Sequence, residues 1–216
     1  MHSRVLVVAS SNRLPRIECC GGGVAARCTA PDTVHLVSAA ATPLGGDSID
    51  IRVVVAANAT LRLRSAAATV ALPGAGTPTS HARWQLEVAG TLDVDLEPTV
   101  VAADARHLSD ATLILRDDAR VRFRERVQIG RCDERQGFWS GSLRVDRDGQ
   151  PVLRHRVEVG AGSLADDRIA APRAAVSEFR CPPGAFASST LVAGSTVLTL
   201  AGGGTLATWQ GDRLGD

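Results

Sequence analysis

Residues 120–129 read Arg120-Val-Arg-Phe-Arg-Glu-Arg-Val-Gln-Ile129, and their apolar side chains fall on every second position apart from Glu125. On a helix Val121 and Phe123 would point to opposite sides, whereas on a strand Val121, Phe123, Val127 and Ile129 share one face. The stretch therefore predicts a half-buried strand. The same two-residue period recurs in Thr60-Leu-Arg-Leu-Arg64 and in Thr91-Leu-Asp-Val-Asp-Leu96. Gly and Pro break the chain at Pro43-Leu-Gly-Gly46, Pro73-Gly74, Asp148-Gly149 and Pro182-Pro183-Gly184, leaving few windows of helical length. The fold class expected is all-β. The predicted strands are 4–9, 24–28, 33–38, 49–56, 60–68, 82–89, 91–96, 98–102, 111–116, 119–129, 138–147 and 151–159, with a terminal hairpin over 191–209. Ala165 to Ser177 is the one window that admits a helix. Many short strands at close spacing fit a sandwich, a barrel or a β-helix, and no fixed-period repeat chooses among them.

The turn at Asp148-Gly149 carries a register prediction. A two-residue loop would set Leu143 and Val145 on the face of Arg154, whereas an odd-length loop aligns them with Leu153 and His155. The odd-length loop keeps the apolar faces together and is the one expected.

At 216 residues the chain buries a substantial core, and a single domain over 1–216 is expected. All 24 basic residues are arginine, set against 23 Asp and Glu. Near-neutral charge gives no reason to expect nucleic acid or an anionic membrane. Without lysine there is no Walker A loop and no Schiff-base chemistry, so this chain is not expected to hydrolyse nucleotide. The five cysteines Cys19, Cys20, Cys28, Cys132 and Cys181 form no C-x-x-C pair, and a reducing cytoplasm is the expected compartment. Val5 to Ala9 is too short for a signal-peptide core. Cys181 to Gly211 carries no charge, but its glycines and threonines make a poor membrane helix, and a hairpin turning at Gly202-Gly203-Gly204 is expected instead.

Glu125 is the most unusual residue, a carboxylate on an otherwise apolar face. Such a group must be ion-paired, protonated or lining a polar cavity. Arg120, Arg122, Arg124 and Arg126 take the opposite face, read as solvated or as part of a protein interface. Asp47 follows two glycines ahead of a strand, where its side chain caps a turn. Cys19 and Cys20 are adjacent, a poor geometry for chelating one ion. His2, His35, His81, His107 and His155 are scattered without ligand spacing, and neither G-x-S-x-G nor H-E-x-x-H occurs. Asp117-Asp118 is a weak acid/base pair at a turn. A β-helical carbohydrate-active enzyme using Glu125 and Glu134 is the alternative from another class. It would want aromatic sugar platforms, yet aromatics are 3% of the chain and Tyr is absent.

Taken together, Pro43-Leu-Gly-Gly-Asp47, Arg64-Ser-Ala-Ala-Ala-Thr69, Glu97-Pro-Thr99, and Glu125 followed by Gly130-Arg131, Glu134 and Gly137-Phe-Trp-Ser-Gly141 resemble the UreD family of urease accessory proteins, called UreH in some bacteria. Order and spacing match over roughly residues 13 to 180, in the style of short actinobacterial members; the 181–216 tail matches weakly. The resemblance implies a layered, β-helix-like fold with little helix. It implies no catalytic activity, and a role as scaffold and nickel conduit in urease maturation, with UreF, the GTPase UreG reached through UreF, and the urease apoprotein as partners. Asp47, Glu125, Arg131 and Glu134 fall where the family pattern has the same residue; Arg64-Ser65 and Val70 depart from it. Asp47, Glu125 and Glu134 are the expected nickel passage and Arg131 a structural or interface residue. Ni²⁺ is expected to visit transiently, with no tight metal site, because hard carboxylates release the ion more readily than a closed Cys/His site.

Overall fold

The structure, a computed structural model, describes residues 1–116, 118–167, 171–186 and 192–215. Among them no residue is helical. The strands are, in chain order, β1 His2–Ala9, β2 Arg16–Cys20, β3 Val24–Ala30, β4 Thr33–Ser38, β5 Ser48–Val55, β6 Thr60–Ser65, β7 Thr69–Ala71, β8 Thr79–Val88, β9 Thr91–Asp95, β10 Thr99–Val101, β11 Arg106–Leu115, β12 Arg120–Ile129, β13 Phe138–Arg147, β14 Gln150–Gly160, β15 Ala174–Cys181, β16 Thr196–Thr199 and β17 Thr205–Gly211.

They form two facing sheets. One runs β14-β13-β11-β8-β5-β1-β2; the other runs β16-β17-β15-β12-β9-β6-β4-β3, with the short β7 and β10 beside it. The chain steps from one sheet to the other and back, so that β5, β8 and β11 stack in parallel in the first while β6, β9 and β12 stack in parallel in the second. The result is a β-solenoid of about four turns, closed at its ends by antiparallel hairpins. This is the layered β-helix-like fold that the resemblance implied.

Alternation decides which side chains enter the space between the sheets. Val5, Val7, Ile51, Val53, Trp84, Leu86, Leu113 and Leu143 from the first sheet meet Leu61, Leu63, Leu92, Val94, Val121, Phe123 and Phe179 from the second. A smaller apolar cluster of Ala71, Val101, Ala105, Val127, Ile129, Trp139, Val159 and Ala175 lies further along the strands. β12 contributes Phe123 to the first cluster and Val127 to the second, and Glu125 falls between them.

The space at that level has a source in the register. Leu63, Val94 and Phe123 lie side by side, and so do Thr69, Thr99 and Val127. Between those levels successive coils spend five, four and three residues: 64–68, 95–98 and 124–126. The surplus pushes the corners at Ala66-Ala67-Ala68 and Leu96-Glu97-Pro98 out of the ladder. Alanines cannot refill the room behind them, and Pro98 has no N–H with which to pair.

Two predicted features come out differently. β15 occupies part of the window that admitted a helix, residues 168–170 of which lie outside the described residues. All of β15 except Arg180 is buried, so it lacks the one-sided alternation that marks a half-exposed strand. The hairpin of β13 and β14 has the predicted pairing, Leu143 with His155 and Val145 with Leu153, but not the odd-length loop that was expected to produce it. Its loop is the two-residue turn Asp148-Gly149, both at positive φ, and a bulge between Val145 and Asp146 supplies the odd residue. The C-terminal hairpin of β16 and β17 turns at the three glycines as expected, while residue 191 lies outside the described residues.

Candidate functional site

Behind the displaced corners lies a cavity of about 220 Å³, with room for several waters. Its lining is more apolar than polar: Ile51, Trp84, Val94, Phe123 and Trp139 close its walls, Ser65, Thr99, His107, Ser109 and Glu125 are among its polar residues, and Arg124 and Arg126 line it as well. Each stretch that carries the family resemblance supplies a wall residue: Pro43, Ala67 with Ala68, Glu97, Glu125 and Trp139. Stretches far apart in sequence meet because each coil returns the chain to the same corner.

Glu125 sits on the inner face of β12, and Ser109 Oγ, across from it on β11, donates a 2.7 Å hydrogen bond to its Oε1. Among the described residues no cation pairs with it. Burial pushes its carboxyl up to about 7, with the Ser109 hydrogen bond opposing and nearby Asp110 adding to the rise. Of the readings open for an acid on an apolar face, no ion pair is found among the described residues, and what is left is an acid bordering a cavity of mixed lining and close to its titration point at neutral pH. His107, two residues before Ser109 on the same face, is buried with Nδ1 2.9 Å from Ser80 Oγ. Burial, helped by His81, holds it down at about 4, so its imidazole is neutral at physiological pH. The period-two pattern of Ala111, Leu113 and Leu115, extended toward the N-terminus, would have placed both Ser109 and His107 on the inner face; the predicted strand began too late, at residue 111.

The other sequence-predicted acids lie elsewhere. Asp47 is buried in the turn before β5, where it accepts hydrogen bonds from Thr42 Oγ1 at 3.0 Å and the Leu44 N–H at 2.9 Å, and contacts the Met1 ammonium. Burial opposes its ionisation, but these donors together hold its carboxyl below the ordinary range. Its neighbours Thr42 and Pro43 line the cavity and Asp47 does not. Glu134 lies in the loop after β12, accepting the N–H groups of Ala103 at 3.0 Å and Arg131 at 3.1 Å as well as the Arg131 guanidinium. Those hydrogen bonds, the guanidinium foremost, hold it down at about 2. Arg131 and Glu134 thus clamp the loop to the corner at Ala103. Glu134 packs against Gly130, five residues along from Glu125 and so about 16 Å away at strand rise. That exceeds the roughly 5–9.5 Å of a glycosidase carboxylate pair, and the carbohydrate-active alternative is not favoured.

The outward arginines of β12 are less solvated than expected. Arg122 reaches Asp93 at 3.2 Å, Asp95 at 2.8 Å and the buried Glu178 at 3.3 Å, while Arg124 and Arg126 also approach Asp95. A lattice of paired charges, continued by Arg64 on Asp93 and Arg180 on Glu178, covers this side of the second sheet. Asp117 lies outside the described residues. Cys19, Cys20, Cys28 and Cys132 are exposed and Cys181 is buried. Among the described residues no three His, Cys, Asp or Glu side chains converge as a metal-binding group, and no helix is long and apolar enough to cross a membrane.

The chain matches the model of the family described as UreD urease accessory protein over residues 24–207. It is 42% identical over 195 residues to urease accessory protein UreD 1 of Saccharopolyspora erythraea, an alignment covering 86% of this chain and 74% of that one. It is 48% identical over 137 residues to UreD of a Parafrankia species, covering 62% of this chain and 46% of the relative. To UreD of Frankia alni it is 47% identical over 116 residues, covering 53% and 39%. The chain thus spans about three quarters of the first relative and less than half of the other two. The cavity is walled by the very stretches that carry the resemblance, and the match runs through nearly the whole solenoid: this chain belongs to the UreD family of urease accessory proteins.

Proposed function

We propose that this chain is a non-catalytic scaffold in the cytoplasm that conveys Ni²⁺ to the urease apoprotein, acting with UreF and, through it, the GTPase UreG. The observation that carries the reading is Glu125: an acid with no ion-pair partner among the described residues, on a cavity of mixed lining between two apolar clusters, inside a member of a urease accessory family. An ion moving through a protein needs donors that hold it briefly. A carboxylate that accepts from Ser109, in a cavity that the neutral His107 also lines, offers oxygen and nitrogen donors without the closed shell that would trap Ni²⁺. A carboxyl poised near neutrality can also exchange its proton for the cation as the ion arrives. Asp47, beside the cavity-lining Thr42 and Pro43, and Glu134, on the loop after β12, are further stations in this proposal, with Arg131 holding Glu134 in place. GTP hydrolysis has to come from a partner, since a chain without lysine has no P-loop.

The test is Glu125→Gln, which keeps the shape and removes the charge. Co-expressed with UreF, UreG and apo-urease, the variant is expected to co-purify with its partners while nickel per urease falls several-fold. Nickel loading at the wild-type level would overturn the conduit role of Glu125.

A further inference from the structure

On the inner face of the second sheet, Glu125 is one end of a polar row. It lies beside Ser177 on β15, Ser177 beside Thr208 on β17, and Thr208 beside Thr196 on β16. At the spacing of neighbouring strands the row covers about 14 Å. Exposure rises along it, from buried Ser177 through half-buried Thr208 to exposed Thr196. The parallel row two residues away is Phe123, Phe179, Leu206 and Leu198, apolar throughout. The next row on the other side, Thr99, Val127, Ala175 and Gln210, is mixed, so the run of four oxygen-bearing side chains that begins at Glu125 is the continuous polar one.

The row also borders space. A second cavity, of about 350 Å³, is lined by His155, Ser177, Thr196, Thr208 and Gln210. His155 enters it from β14 of the facing sheet, its Nε2 3.4 Å from Ser177 Oγ. Ser177 therefore stands between the two cavities, next to Glu125 on one side and facing His155 on the other.

We propose that this row is a second mouth of the Glu125 cavity, by which a divalent first-row metal ion passes between Glu125 and solvent at the edge of the ten-stranded sheet, with His155 as the relay beyond Ser177. The inference rests on the conduit reading and adds a route and residues to it. Serine and threonine oxygens with a single imidazole suit an ion that keeps most of its water and exchanges quickly. Burial lowers the basicity of His155, which keeps its nitrogen lone pair free for the metal at neutral pH.

The experiment measures the initial rate at which Ni²⁺ enters urease in the complex of the full chain with UreF and apo-urease, as nickel per urease after free ion is removed. Thr196→Phe puts a bulky ring at the outer end on an exposed strand, and Ser177→Leu blocks the inner step. Val197→Phe, on the opposite face of the same strand, is the control. Both blocking variants are expected to slow loading at least fivefold with the complex intact, and Val197→Phe to leave it unchanged. Thr196→Phe carries the test even if Ser177→Leu does not fold. Wild-type loading by Thr196→Phe overturns the second mouth, as does slow loading caused only by loss of a partner from the complex. If Glu125→Gln is slow while Thr196→Phe is not, the route is wrong and the conduit stands. If neither is slow, the conduit fails as well.

Discussion

Replacing Glu125 by glutamine tests whether this acid belongs to an ion pair or to a polar cavity, because the two arrangements give opposite signs. In the fold its carboxyl titrates at about 7, against 4.5 in the unfolded chain. As pH rises from 4.5 to 7 the unfolded chain gives up this proton first, so the folded state loses stability across that window and no further above it. At about 1.4 kcal/mol for each pH unit, the loss totals roughly 3 kcal/mol by pH 8. Glutamine does not titrate, so the variant is expected to match wild type near pH 4.5 within about 1 kcal/mol and to exceed it by up to about 3 kcal/mol at pH 8. The wild-type curve alone would hide the effect. His107, held at about 4 against 6.5, gives stability that is present above 6.5 and lost as pH falls toward 4, the opposite slope over most of the same window. Subtracting the two urea-unfolding curves, followed by the fluorescence of Trp84, Trp139 and Trp209, cancels His107 and leaves Glu125. A difference that stays flat from pH 4.5 to 8, or a variant less stable than wild type at pH 8, would mean that a cation stabilises the ionised acid and that the cavity reading of Glu125 is wrong.

Two further perturbations probe the frame around the cavity. Arg122→Met removes the cation shared by Asp93, Asp95 and Glu178 and is expected to cost roughly 3 kcal/mol, whereas Arg126→Met, with longer contacts to Asp95 and Glu97, should cost under about 1 kcal/mol. Equal losses in urea denaturation would mean that the lattice has no centre at Arg122. Gly130→Ala would set a Cβ 1.8 Å from the Glu134 carbonyl oxygen at a φ of +82°, so the clamp loop must shift, and a loss of about 2 kcal/mol or more is expected. Gly149→Ala, at φ +78° with nothing within 4 Å, should lose only the backbone part, about 1 kcal/mol, and similar losses for both would refute the contact.

Local pattern was enough for most of the strands and for the oddity of Glu125, though it missed β2 and carried the strand at 60–68 past the end of β6. Period-two alternation is a property of a few consecutive residues, and where one face is buried it survives in the sequence, as along β12 and β13. It fails where both faces are covered, as in β15, and where a strand begins with inward polar residues, as His107 and Ser109 do in β11. The resemblance to a family came from stretches whose order could be read but whose meeting could not. What only the tertiary structure decided is the cavity itself. It exists because successive coils spend five, four and three residues at one corner, a relation between registers of strands about thirty residues apart. The same holds for the alignment of Glu125 with Ser177, Thr208 and Thr196, which depends on the pairing of four strands. A sequence fixes which face a side chain takes, because that follows from its immediate neighbours; which side chains share a space follows from how whole strands are registered, and no local pattern records it.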